Sequence, residues 1–242
     1  TQQKPMSTSL ALLQCLAPAI TALTLHQLAR VIEGLLIMTG RVTMLGVSRW
    51  TEKGGSYRTI QRLFNTAIPW SLVFWSFFYQ HLFQADETYL LVGDESVVTK
   101  SGKETYGLDR FFSSIQGKPV KGLSFLTLSL VSLREQRSYP IRVEQVVRGK
   151  TKAEEQKVTP PMNTAPRKKA GRPKGSKNRN KRDQPLSNEM DWLNQLINKQ
   201  LQLTNSVLTL SYLILDGHYG HHGAVQVAQQ NHLFLVSKLR TD

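Results

Sequence analysis

Tyr89-Leu-Leu-Val-Gly-Asp94 and Leu210-Ser-Tyr-Leu-Ile-Leu-Asp216 decide how this chain is read. Each is an apolar run closed by a carboxylate, so each reads as a buried strand delivering an acid at its C-terminal end. If the two strands are adjacent and parallel, those ends meet at one edge of the sheet, where ligands gather in open α/β sheets. Two facing carboxylates repel unless a cation lies between them. Mg²⁺ (or Mn²⁺) suits all-oxygen ligands and keeps waters for chemistry. Two such ions a few ångströms apart could activate an attacking oxygen and stabilise a leaving one. Asp94 and Asp216 are therefore candidate metal ligands and catalytic residues for phosphoryl transfer. Each has a plainer reading when taken singly. Asp216-Gly217 is a turn signal, and Asp94 is a solvated strand end with Glu95 as a competing ligand.

Working outward, Ser124–Leu133 alternates apolar and hydroxyl residues, which is strand periodicity, and Tyr139–Val147 is a third strand candidate. Arg134–Ser138 reads as the hairpin turn between them. Ser187 is a good N-cap for a helix with an apolar stripe of Trp192, Leu193, Leu196, Ile197 and Leu201. Leu208–Leu215 is a strand, Gly223–Gln230 a short helix and Leu233–Val236 a last strand. Three leading strands without helices predict an antiparallel meander, and the later alternation predicts parallel additions. The expected class is mixed α/β, a sheet flanked by helices.

Residues 1–85 read as helical. Thr24 can cap a helix carrying Leu25, Leu28, Val31, Ile32 and Leu35. After the segment Val42–Trp50, Thr51–Ser56 reads as a turn, and Ser56 can cap Tyr57–Asn65. In that helix Ile60, Leu63 and Phe64 are expected inside, and Tyr57, Arg58, Gln61 and Arg62 outside. Two helices joined by a Gly-containing turn, with Arg, Gln and Tyr on the second, suit a helix-turn-helix DNA reader. The plainer alternative is a helical bundle with a solvated face.

The net charge is +14 with 31 Lys and Arg against 17 acids, which does not fit an ordinary metabolic enzyme and implies a polyanionic partner, nucleic acid by default. The excess is concentrated: Arg167–Arg182 holds nine basic residues and no acid. That run lies in a segment, 148–187, too poor in large apolar residues to bury a core. Its Gly171-Arg172-Pro173 core between basic residues looks like an AT-hook, whose extended Arg enters an A·T minor groove. Arg167, Lys168, Lys169, Arg172, Lys174 and Lys177 are the expected contacts; the plainer reading is a solvated linker that touches phosphates only. Lys100 and Lys103, after the first strand, are candidates for a phosphate near the metal. His218, His221 and His222 cluster after Asp216, but a zinc site lacks an identifiable fourth ligand. A single cysteine, Cys15, excludes an internal disulfide and fits a reducing compartment. The most apolar stretch, Trp70–Phe83, is shorter than a membrane span, and no signal peptide is visible. A cytoplasmic, chromosome-associated protein is expected.

With these elements in place, the chain resembles the bacterial insertion-sequence transposases of the DDE type, whose catalytic domain has a ribonuclease H-like fold. The resemblance rests on Thr39-Gly-Arg41, Ser56-Tyr57, Val92-Gly-Asp-Glu-Ser96 with Lys100-Ser-Gly-Lys103, the meander, and Leu215-Asp-Gly-His-Tyr219. It implies a helical DNA-binding domain over 1–85 and a partial ribonuclease H-like domain over 86–242 with the basic insertion at 148–187. It implies that Asp94 and Asp216 are the first two metal ligands of an enzyme that cuts transposon ends and joins them to target DNA, and that a homodimer forms on double-stranded DNA. The family's third acid, a glutamate on a later helix, has no counterpart before Asp242. The expectation is therefore a chain that binds DNA without cleaving it alone. The rival readings are a non-catalytic DNA-binding relic and a nuclease that does not join strands.

Overall fold

The computed structural model describes residues 8–51, 56–148 and 185–238. In chain order the described elements are α1 (Thr8–Leu13), a 3-10 turn Gln14–Leu16, α2 (Ala22–Ile37), α3 (Met44–Trp50), α4 (Tyr57–Phe64) and α5 (Trp70–His81). There follow β1 (Tyr89–Thr99), β2 (Asp109–Ser113), β3 (Lys118–Ser132), β4 (Arg137–Val146) and α6 (Asn188–Thr204). The chain continues with β5 (Tyr212–Leu215), a 3-10 turn Gly217–Tyr219, α7 (His222–Gln230) and β6 (Phe234–Ser237). These form two compact units. One takes the described residues up to Tyr89 together with Ser129–Arg142 and Gln200–Thr209; the other takes the rest.

In the first unit the helices bury two small apolar clusters. Leu13, Leu16, Leu25, Leu28, Ala29 and Val73 make one; Val31, Val47, Ile60 and Leu63 make the other. The helix starts are set by hydroxyl caps, each taking up a backbone N–H that the first turn leaves unpaired. Thr43 Oγ1 accepts from Gly46 N–H at 2.9 Å, and Ser56 Oγ accepts from Thr59 N–H at 3.4 Å, as expected for Ser56. The α2 cap is Thr21, whose Oγ1 accepts from Thr24 N–H at 3.3 Å, and Thr24 itself is buried inside the helix. Val42–Trp50 is largely helical, as α3. Phe64, expected inside, is 57% exposed; it is the last residue of α4, and the buried positions of that helix are Ile60 and Leu63. Later in the same unit, Phe78 meets Tyr89 edge-on at 5.4 Å and Tyr139 at 5.4 Å. Arg134 bridges Asp86 at 2.9 Å and Glu87 at 3.4 Å beside the hairpin turn.

The sheet has six strands in the order β2-β3-β1-β5-β6, with β4 also paired to β3. β5 runs parallel to β1 and to β6, and β2 runs antiparallel to β3. Lys100 N–H donates to Lys121 O at 3.0 Å and Leu133 N–H to Thr88 O at 3.2 Å. The two bonds share one antiparallel register, so β1 and β3 pair without a bulge. The result is the mixed α/β class expected, with seven helices among the described residues, consistent with a ribonuclease H-like fold.

Beyond shifts of one or two residues, as at β4 and β6, the strands differ from the sequence reading in four places. β1 does not stop at Asp94 but runs to Thr99. β3 starts at Lys118 rather than at 124. β2 is a further strand, not among those expected. β5 is only Tyr212–Leu215, since Leu208 and Leu210 are buried without joining the ladder. Past Gly93, the polar run Asp94-Glu95-Ser96 interrupts the apolar sequence before Val97 and Val98, so the continuation of β1 lacks the unbroken signal that marks its first half.

Candidate metal and nucleic-acid site

The parallel register sets the site. Leu91 pairs with Leu213, Val92 with Ile214 and Gly93 with Leu215. One step further brings Asp94 beside Asp216, on neighbouring strands that lie ~4.8 Å apart. Side chains alternate along a strand. Leu91, Gly93, Leu213 and Leu215 point into the buried face, so Asp94 and Asp216 stand on the other face, and both are exposed. Gly93 makes the close approach possible: a Cβ there would meet Leu215 Cδ2 at 2.7 Å. Asp216 is further held by its own turn. Its Oδ1 accepts from Gly217 N–H at 2.6 Å, and its carbonyl accepts from Ser237 Oγ at 3.0 Å.

Glu95, the competing ligand, is one residue on and therefore points to the opposite face. There its carboxylate accepts a hydrogen bond from Tyr219 Oη and another from Ser124 Oγ at 3.3 Å. Tyr219 is 2% exposed and Ser124 fully buried. Burial, the bond to Glu95, and the negative charge of Glu95, Glu189 and Asp94 push the Tyr219 phenol well above its ordinary range. The phenol is thus a neutral donor at any ordinary pH. This pairing was not legible beforehand; the only hint was that Tyr219 follows Asp216 by three residues.

The donor set fits a hard divalent cation. It offers two carboxylates at adjacent register, both open to solvent, with water free to complete the coordination. Among the described residues no group of three or more His, Cys, Asp or Glu converges as a metal cage, so the pair itself is the protein's described contribution. Two of the three histidines are otherwise engaged, while His222 Nε2 is buried without a hydrogen-bond partner among the described residues. His218 Nε2 lies 3.7 Å from Glu189 Oε1, and His221 caps α7, its Nδ1 accepting from Gly223 N–H at 3.1 Å.

The remaining candidates fall into three groups. Tyr57, Arg58, Gln61 and Arg62 are all exposed along α4, while Ile60 and Leu63 of the same helix are buried. Lys100 and Lys103 are exposed at the end of β1 and in the following loop; because β1 continues to Thr99, Lys100 leaves the strand ~20 Å from Asp94 rather than beside the acid pair as expected. Arg167, Lys168, Lys169, Arg172, Lys174 and Lys177 lie outside the described residues, as does most of the 148–187 insertion.

A mixed sheet whose first strand is paired in parallel with a later one, with Asp94 inside the first and Asp216 just past the second, is consistent with a ribonuclease H-like class of protein. A family model described as DDE superfamily endonuclease matches residues 15–242, and the chain belongs to that family. No match was found among curated proteins. The family supports nuclease- or transposase-type chemistry on DNA, and no helix among the described residues is long and apolar enough to cross a membrane.

Proposed function

We propose that this chain is a DNA transposase of the insertion-sequence kind, in which Asp94 and Asp216 hold Mg²⁺ or Mn²⁺ for phosphoryl transfer at transposon ends. The observation that carries the reading is the β1–β5 register, which stands the two acids side by side on one open face. A divalent ion held there supplies Lewis-acid stabilisation of charge on a reacting phosphate. The protein's part is to bring the two carboxylates close, and to orient that of Asp216, before any ion arrives. Gly93 admits Leu215, the Gly217 N–H orients Asp216, and Tyr219 ties the turn after Asp216 to Glu95 beside Asp94. In the same reading α4 presents Tyr57, Arg58, Gln61 and Arg62 to duplex DNA, and the basic segment around Arg172 follows a minor groove. The working form is a homodimer on bacterial chromosomal DNA, bringing two ends together.

The test is Mn²⁺ binding followed by electron paramagnetic resonance. Asp94→Asn and Asp216→Asn should each weaken binding by tenfold or more, whereas Glu95→Gln, on the opposite face, should change it less than threefold. Wild-type affinity in both Asn variants would remove the metal site. In this reading the chain alone binds a transposon-end duplex without cleaving it; Mg²⁺-dependent nicking of that duplex by this chain, abolished in Asp216→Ala, would overturn that part.

A further inference from the structure

The face that carries Asp94 and Asp216 also carries a row of three cations. Lys121 lies opposite Arg110 in the β2–β3 register, and its carbonyl accepts the Lys100 N–H across the β3–β1 ladder. Residues 94, 96, 98 and 100 share one parity, so Lys100 leaves β1 on the side of Asp94. The unbulged ladder puts Lys121 on that side too, and the β2 register adds Arg110. All three side chains are exposed. Strand spacing places the three within ~10 Å of one another, and six residues of rise separate the row from Asp94 by ~20 Å.

Nothing within the described protein neutralises this row. Among the described residues none of the three lies within ion-pair distance of a carboxylate. The Asp109 carboxylate next door accepts the Arg110 backbone N–H at 2.7 Å and belongs to the other face. Arg110 Nη2 reaches the Pro119 carbonyl at 3.5 Å. Like charges directly opposite on a sheet destabilise it, so the fold carries an unrelieved repulsion at this place. A polyanion laid across the row would relieve it. A duplex running along β1 presents about 12 phosphate charges over the ~20 Å between the row and the acids.

We infer that Arg110, Lys121 and Lys100 form a track for the phosphate backbone of duplex DNA, holding the duplex on the acid-bearing face at a distance from the acids. The inference rests on the reading of this chain as a DNA-processing enzyme, and it adds a second anchoring point on the sheet itself. The track reads no sequence. Its contacts are electrostatic and fall with salt.

The test uses the full chain and a fluorescein-labelled 20-bp duplex of arbitrary sequence, with anisotropy measured from 50 to 200 mM NaCl. The double variant Arg110→Gln/Lys121→Gln should lower the slope of log K against log salt by about 1.8, at ~0.9 per phosphate contact. The wild-type advantage should therefore shrink about 12-fold across that range. A control pair, Arg137→Gln/Lys199→Gln, removes as much charge elsewhere and should leave the slope within 0.5 of wild type. The double variant should also melt no lower than wild type, because repulsion has been removed while DNA affinity falls. An unchanged slope, or an equal loss in the control pair, overturns the track. The outcome is independent of the metal site: loss of the Mn²⁺ effect of Asp94→Asn with the slope change intact would sink the enzyme reading and spare the track.

Discussion

Removing one oxygen atom from Tyr219 tests the arrangement behind the acid pair. Tyr219→Phe keeps the ring in its buried place and deletes the donor to Glu95. A hydrogen bond to a charged group contributes roughly 1.5–3 kcal/mol. Glu95 is only half-buried and water can reach the orphaned oxygen, so the lower end, about 1.5 kcal/mol, is expected. Urea unfolding at pH 8 should show this as a lower midpoint with an unchanged slope. The pH dependence gives a second handle. Folding raises the phenol's pKa, so its contribution is complete below the unfolded value of about 10 and declines above it. Past pH 10 the unfolded chain releases a proton that the folded chain keeps, and stability falls by about 1.4 kcal/mol per pH unit. The phenylalanine variant lacks that loss. The gap between the two proteins should therefore close near about pH 11. A variant as stable as wild type at pH 8, or a gap that persists unchanged to pH 11, would refute the account of this hydrogen bond.

Three further substitutions probe other parts of the argument. Gly122→Ala would drive a Cβ into the Val98 backbone carbonyl, and because backbone cannot swing aside the strand pair must part, costing about 1–3 kcal/mol in thermal unfolding. Ser56→Ala removes the α4 cap and should cost about 0.5–2 kcal/mol, with weakened duplex binding if α4 is the DNA reader. Arg134→Met bears on acid stability. Hydrogen bonding and charge from Arg134 hold the Asp86 carboxyl below its usual range, so that stabilisation is present above about pH 4 and lost as pH falls through the folded value. The urea midpoint of wild type should drop more between pH 7 and pH 3 than that of the variant; parallel drops would show that the pairing does not act.

What could be read beforehand follows from the kind of signal each element leaves. β1 and β5 lie inside the sheet, buried on one face and half-buried on the other over Tyr89–Gly93 and Leu213–Leu215, so they announce themselves as unbroken apolar runs. β2 is an edge strand of five residues with Phe112 64% exposed; one partner and one covered face leave too little pattern to see. Thr21 and Thr24 are both able to cap, and their hydroxyls lie 2.9 Å apart. Only the backbone, extended at Thr21, decides between them. The Glu95–Tyr219 bond joins residues 124 apart, a distance at which periodicity carries no information.

The choice between Asp94 and Glu95 shows why the site could be narrowed to two neighbours and no further. Consecutive residues on a strand point to opposite faces, and a slip of one residue exchanges them. In one register Asp94 joins Asp216 in the open and Glu95 goes to Tyr219 and Ser124; in the other the roles reverse. Gly93 breaks the tie. It sits where the Leu215 side chain approaches so closely that a Cβ would meet it at 2.7 Å, and Leu215 is itself 2% exposed. Shift β1 by one residue and Asp94 or Val92 must occupy that space, placing either a charge or two extra methyl groups against a packed leucine. The absence of a side chain at position 93 is thus what turns the neighbouring aspartate outward and assigns it to the pair.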